Sequence, residues 1–186
     1  WASSIITKDS LVLSCTNGLY GIKLTNQEAT VTPLKFAHSV TKSFLFKDQL
    51  FLVSDSSIYR LNDKNSYETI LQFDQPILNV FRDEISVHIA FPEKLIQYDE
   101  RLQKTSTFSI AEGINDCALI SGNLWVATKN NGVLIYDLYE KNPIPWNLGD
   151  QKKHNLLSTN IRCVFEDCFG VIWLGTDKGI NKIDPS

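Results

Sequence analysis

Apolar residues recur along this chain in short alternating runs broken by Gly, Asn, Asp or Pro, and no apolar stripe of 3.6-residue period reaches helical length. Five runs share one plan: an apolar strand, a short polar turn, then a second apolar strand. They are LVLSCTNGLYGIKL at residues 11–24, LFLVSDSSIYRL at 50–61, ISVHIAFPEKLIQYD at 85–99, NLWVATKNNGVLIYD at 123–137 and VIWLGTDKGINKID at 171–184. The last two agree best, each with a Trp (Trp125, Trp173), a Thr (Thr128, Thr176), a turn glycine (Gly132, Gly179) and a closing Asp (Asp137, Asp184). The first apolar residue after each turn is Leu19, Ile58, Leu95, Val133 and Ile180, which sets spacings of 39, 37, 38 and 47 residues.

A period of that size belongs to propeller blades or to paired-helix repeats, and the alternation of β-branched and aromatic residues selects strands. Each unit has room for four of them. In the last unit 160–167 reads as the innermost strand, 168–170 as a tight turn, 171–176 as the second strand and 180–184 as the third. Outer strands fall at 28–36, 67–73, 103–110 and 141–148, where threonines and prolines suit an exposed edge. The expected fold is therefore all-β: a β-propeller segment spanning 1–186, with blades near 2–38, 39–75, 76–111, 112–149 and 157–186. Four blades are complete and the fifth has three strands. A blade cannot cover both of its apolar faces alone, so Trp125 and Trp173 are expected to pack between blades. Gly18, Gly132 and Gly179 are expected to supply positive φ in the turns.

Composition narrows the class further. With 186 residues, 43% of them apolar, the chain can build a packed core. Its net charge is -3, from 18 basic and 21 acidic residues interspersed, which argues against a nucleic-acid partner. No apolar stretch approaches the roughly 18 residues that cross a bilayer, so no direct membrane insertion by this segment is expected. The chain holds no Met and opens on Trp1, which reads as a piece of something longer, and fewer blades than a closed ring needs agree with a fragment. An open arc would leave strand edges at residues 1–7 and 180–183, to be met by the remaining blades of the same propeller or by self-association. The four cysteines, Cys15, Cys117, Cys163 and Cys168, are too sparse for a disulfide scaffold. Cys163 and Cys168, five residues apart, read as buried or half-buried thiols in preference to a pair or a metal site.

The residues 157–161 (LSTNI), followed by Phe165, Glu166, Asp167, Gly170, then Ile172-Trp173-Leu174-Gly175-Thr176 and Gly179, resemble the two-component regulator propeller repeat, roughly LSxNxVxxIxEDxxGxLWIGTxxGLxxYD. Leu157, Ser158, Asn160, Glu166, Asp167, Gly170, Trp173, Gly175, Thr176 and Gly179 fill motif positions, and Trp125 and Gly132 fill theirs one unit earlier, where Ala127 replaces the first Gly of GT. The resemblance covers about a third of the chain; the rest follows by period. It implies seven-bladed propellers in the periplasmic sensor half of hybrid histidine kinases of Bacteroides type. The implied role is recognition of oligosaccharides, with transcription regulation through a kinase region that this segment does not carry.

No metal, cofactor or catalytic motif stands out. His38, His88 and His154 are 50 and 66 residues apart, and no nucleophile elbow or phosphate-cradling loop occurs. Adjacent carboxylates such as Glu166 and Asp167 point to opposite faces of a strand, and this pair reads as a turn cap. The segment is thus expected to be no enzyme and to need no cofactor. A ligand would meet the face formed by the turns between second and third strands and the inter-blade linkers. That face offers Asn17, Asp55, Asn130, Asp177, His154 and Asn155, with Trp146 as an aromatic platform. Two other readings stay open: a propeller lyase or glycosidase gathering His and carboxylates from several blades, and a protein-interaction scaffold with a broad apolar patch.

Overall fold

A computed structural model describes residues 2–7, 10–15, 18–25, 28–62, 66–110, 113–137, 146–147 and 156–184. All regular structure among them is β, in five antiparallel sheets, four of four strands and one of three. The chain divides into two compact units, Trp1–Ile77 and Leu78–Ser186.

The first unit holds two meanders: β1 (Ala2–Thr7), β2 (Ser10–Cys15), β3 (Gly18–Leu24), β4 (Ala29–Leu34), then β5 (Lys42–Phe46), β6 (Gln49–Val53), β7 (Ser57–Leu61), β8 (Tyr67–Gln72). Val12, Leu19 and Leu34 of the first sheet pack with Leu50, Leu52 and Tyr59 of the second. The second unit holds three: β9 (Asn79–Arg82) to β12 (Lys104–Ser109) through β10 (Val87–Phe91) and β11 (Lys94–Tyr98); β13 (Ile114–Ile120), β14 (Asn123–Thr128), β15 (Val133–Asp137) and β16 (Trp146–Asn147); and β17 (Ile161–Glu166), β18 (Ile172–Thr176), β19 (Gly179–Ile183). One core joins Ala90, Leu95 and Ile110 to Cys117, Val126 and Leu134, and a second joins Ala127, Val133 and Ile135 to Ile161, Ile172 and Leu174. The middle sheet of this unit is therefore covered on both faces, which is why β14 and β15 are almost wholly buried.

Among the described residues of this unit, only one face of the last sheet is covered. Val164 and Leu174 point into the core, while Phe165, Trp173 and Ile180 remain 62%, 37% and 69% exposed. Trp173 occupies the position that Trp125 holds one sheet earlier: Trp125 pairs with Ala118 and Ile135 and packs against the second core, and Trp173 pairs with Phe165 and Lys182. Trp125 is thus packed against a neighbouring sheet, whereas no described sheet lies against Trp173. Cys163 shares that open face and Cys168 lies in the turn after β17, so both thiols are exposed, against the expectation of burial. Cys117 alone of the described free cysteines is buried.

Repeated turn chemistry fixes the strand ends. Asp167 Oδ1 accepts the N–H groups of Phe169 and Val171, and its Oδ2 accepts the Trp173 indole N–H at 2.8 Å. Asp83 does the same two sheets earlier: Oδ1 accepts Ile85 and Ser86 N–H, and Oδ2 meets His88 Nε2 at 3.2 Å. His88 thus takes the indole's place, fully buried and stacked on Phe81 at 5.0 Å. Burial holds the His88 pKa below its usual 6.5 despite the Asp83 carboxylate, and hydrogen bonds to Ile85, His88 and Ser86 hold that carboxylate below its usual range against the effect of its own burial. Positive φ occurs at Gly132 (69°) and at Gly18 and Gly179 (136° each), as the turn pattern requires. Gly175 has a different reason: a Cβ there would lie 2.5 Å from Cys163 Sγ on the facing strand. One sheet earlier Asp116 faces that position, and alanine is accommodated at 127.

Gly175→Ala is expected to cost about 1–3 kcal/mol by overpacking, and most of that cost should vanish in a Cys163→Ala background; an undiminished cost in the double variant, measured by chemical denaturation, would rule out the sulfur as its cause. His88 has a depressed folded pKa, so its contribution is fully present above pH 6.5 and is lost as pH falls below that value toward the folded pKa. The melting temperature should fall through this window, and His88→Gln should flatten the decline; equal slopes in both proteins would contradict the assignment.

Candidate functional site

The turns between second and third strands share one end of each sheet with the linkers that leave the outer strands. Linker N–H groups return to their own sheet's turn: Phe73 donates to the Ser56 carbonyl at 2.9 Å and Ile77 to that of Asp55 at 2.6 Å, and in the second unit Ile110 donates to Glu93 at 2.8 Å, while Ile114, which opens β13, reaches back to Pro92 in the preceding sheet's turn at 2.7 Å. At the β14–β15 turn the direction reverses, Gly132 N–H donating to the Thr159 carbonyl at 2.9 Å. Thr128, fully buried, donates its hydroxyl to the Gly132 carbonyl and accepts Asn131 N–H. Thr176 repeats the device with Gly179 and Lys178. The threonine and glycine of the repeat therefore build a rigid turn, leaving the residues between them to face outward.

In the second unit this end holds a cleft of about 550 Å³ lined by Asn115, Lys129, Asn130, Asn160 and Arg162. Two β-bulges create it. The β13–β14 register passes from Ile114–Thr128 to Asp116–Ala127, leaving Asn115 unopposed, and the β17–β18 register passes from Ile161–Thr176 to Cys163–Gly175, leaving Arg162 unopposed. Asn115 and Arg162 are thus the same position one repeat apart, each turned out of the ladder by the extra residue. Asn115 Nδ2 donates to the Ile161 carbonyl at 2.7 Å and to Asn160 Oδ1 at 3.3 Å, tying the two sheets together at the cleft floor. Ser158 Oγ accepts Asn160 N–H, and its hydroxyl hydrogen-bonds the Asp177 carboxylate, which lies below its usual pKa from that bond first and from Lys178 and Arg162 nearby. Among the described residues no carboxylate forms an ion pair with Lys129 or Arg162.

The expected residues fare unevenly. Asn130 lines the cleft, and Asp177 borders it through Ser158 and Arg162. Asp55 is exposed in the β6–β7 turn of the first unit. Trp146 sits in β16 opposite Ile135, in the outermost strand, and nothing further is described of its side chain. Asn17, His154 and Asn155 lie outside the described residues. Leu157 and Asn160 flank the linker, Leu157 N–H being held by Asn181 Oδ1 at 3.0 Å. Asp167 caps its turn as expected, Glu166 closes β17, and Gly170 completes the turn at φ 78° with its N–H on the Asp167 carbonyl at 3.0 Å.

Sequence reasoning missed the inner-strand polar chain. Asn79 Nδ2 reaches across to Asp116 Oδ1 (3.1 Å) and the Cys117 carbonyl (2.9 Å), and Asp116 Oδ2 accepts Val164 N–H on the next sheet at 3.1 Å. Asn79 and Asp116 are one repeat apart, and each engages the equivalent residue, Cys117 or Val164, of its neighbour. The available signal was an Asn-Asp pair inside the otherwise apolar run of β13.

A larger groove, about 780 Å³, lies in the first unit at the opposite strand ends, lined in part by Leu11, Ile22, Leu61 and Arg60. Arg60 there is committed to Glu68 and to Gln49 at 3.3 Å. The smaller cleft is the better candidate because its cations lack such partners among the described residues. No group of three His, Cys, Asp or Glu side chains among the described residues could hold a metal, and His88 is occupied by Asp83.

No family model matches the chain, and no curated protein matches it. Solved structures do. The chain has the fold of two crystal structures of the extracellular domain of BT4673 from B. thetaiotaomicron, assigned in one to a one-component and in the other to a hybrid two-component system, with TM-scores of 0.72 and 0.71 at 22% identity over 97% of this chain. The extracellular domain of BT3049, assigned to a hybrid two-component system of the same organism, matches at 0.70 and 21% over 99%. This chain spans 26% of the length of each of them. No described helix is long and apolar enough to cross a membrane.

Asp116 bridges three sheets, so Asp116→Ala is expected to lower stability by about 2–4 kcal/mol, with Asp116→Asn intermediate; a loss below 1 kcal/mol in denaturant titration, about the worth of one neutral hydrogen bond, would contradict the bridging role.

Proposed function

We propose that this chain is an arc of β-propeller blades in the extracytoplasmic, periplasmic sensor part of a hybrid two-component regulator. It recognises an oligosaccharide and contributes no chemistry of its own; kinase and transcription-regulating steps belong to other regions of such a regulator. The whole-chain fold match to extracellular domains of B. thetaiotaomicron regulators carries this reading. The turn face supports it, because amide, hydroxyl and guanidinium groups on rigid turns suit hydroxyl-rich ligands. The open face of the last sheet supports the propeller: Phe165, Trp173 and Ile180 continue the positions that Ala118, Trp125 and Val133 use to bury the preceding sheet.

That same patch favours a second reading, a scaffold that orients neighbouring parts of a sensor without touching ligand. Thermal-shift screening against a panel of oligosaccharides separates them, since a ligand of the folded state raises the melting temperature by mass action. The sensor reading expects a reproducible rise for one glycan class; a cooperative melt unmoved by every glycan would favour the scaffold.

A further inference from the structure

We infer that the bulge cleft is an oxyanion subsite, reading the carboxylate or sulfate ester of an acidic saccharide; this rests on the sensor reading and adds the charge of its ligand. The cleft carries two cations, Lys129 on the β14–β15 turn and Arg162 on the β17 bulge, and Asn115, Asn130 and Asn160 complete its lining. The bulges matter physically: without the extra residue, position 162 would stay in register with β18 and alternate with its neighbours, whereas the observed pattern exposes Arg162 and Cys163 together between buried Ile161 and Val164. An arginine held at a strand end and flanked by linker amides presents a planar fork suited to two oxygens of one anion.

The opposing charge is limited. The Asp177 carboxylate feels the charge of Arg162 only as a minor influence, behind its hydrogen bond from the Ser158 hydroxyl, and forms no ion pair with it. Lys129 lays its stem over Gly113, its Cδ 3.4 Å from where a Cβ would stand, which fixes the direction of the ammonium-bearing chain. Gly113 itself has φ 72°, a conformation that excludes most side chains from that contact. Neutral hydroxyls would use the amides alone; an anionic group uses the Nδ2 donors of Asn130 and Asn160 and both cations, the Asn115 Nδ2 being already spent on the Ile161 carbonyl and Asn160 Oδ1. The cleft is open, so the ionic contribution is screened by salt.

The test is a titration of the isotopically labelled 186-residue chain, followed by magnetic resonance. The probes are a hexuronate disaccharide, a neutral hexose disaccharide of the same linkage, and that neutral disaccharide bearing one sulfate ester. The account expects an acidic probe to bind at least about tenfold tighter than the neutral one, as one charged hydrogen bond would give. It should move the side-chain amide signals of Asn115, Asn130 and Asn160 and weaken as salt rises. The uronate and sulfate arms identify which oxyanion is preferred. Arg162→Gln and, independently, Lys129→Gln should remove the preference while leaving the melting temperature near that of the parent. Equal binding of neutral and acidic probes, indifferent to both substitutions, would overturn the charge assignment and leave the sensor reading intact. Acidic binding that moves signals elsewhere would overturn the location. No binding of any probe by a cooperatively folded chain would overturn the inference together with its carbohydrate premise.

Discussion

A four-stranded antiparallel sheet with apolar residues on both faces is unstable in water by itself, and everything else in this molecule follows from having to cover it. The middle sheet of the second unit shows the solution: Leu124, Val126 and Leu134 face one neighbour, and Ala127, Val133 and Ile135 face the other. Fully burying side chains of this size is worth roughly 1.5–3 kcal/mol each relative to exposure, which makes stacking far stronger than any one polar contact described here. Stacking also brings all second-to-third-strand turns of a unit to the same end of their sheets. The shared turn face is a by-product of the packing rule.

Polar groups then choose among stacked arrangements. Asn79, Asp116 and Asn115 link inner strands of successive sheets, the linkers return to their own turns through Ile110 and Gly132, and Ile114 ties the start of β13 to the preceding turn. These bonds set rotation and spacing between sheets that apolar contact alone would leave loosely specified. They also fix the bulges, and the bulges are what turn Asn115 and Arg162 outward. The cleft is in this way tied to the same contacts that hold neighbouring sheets in place.

The repeat made the strand order legible because each strand alternates and each turn carries its own chemistry: Thr176 with Gly179, and Asp167 with the backbone of its turn, do locally what their sequence positions imply. Cys163 and Trp173 were harder, since whether a face is covered depends on the neighbouring sheet, and no local pattern states that. The cleft was legible only at Asn130 and Asp177. Lys129 and Arg162 looked like ordinary surface charge in sequence, and they line one cleft because a bulge rotates Arg162 out of its ladder, as another one repeat earlier rotates Asn115. A bulge is a mismatch between two strands, visible in their pairing and in neither strand alone.

Residue-resolved amide hydrogen exchange tests most directly the claim that stacked sheets and linker-to-turn bonds form one rigid face. The Ile110 and Gly132 amides lie outside every strand and bond to Glu93 and Thr159 carbonyls. The account predicts that they exchange as slowly as Val126 in the buried centre of β14. Rapid exchange at both, with Val126 protected, would contradict it, leaving stable sheets whose turn face is not held in place.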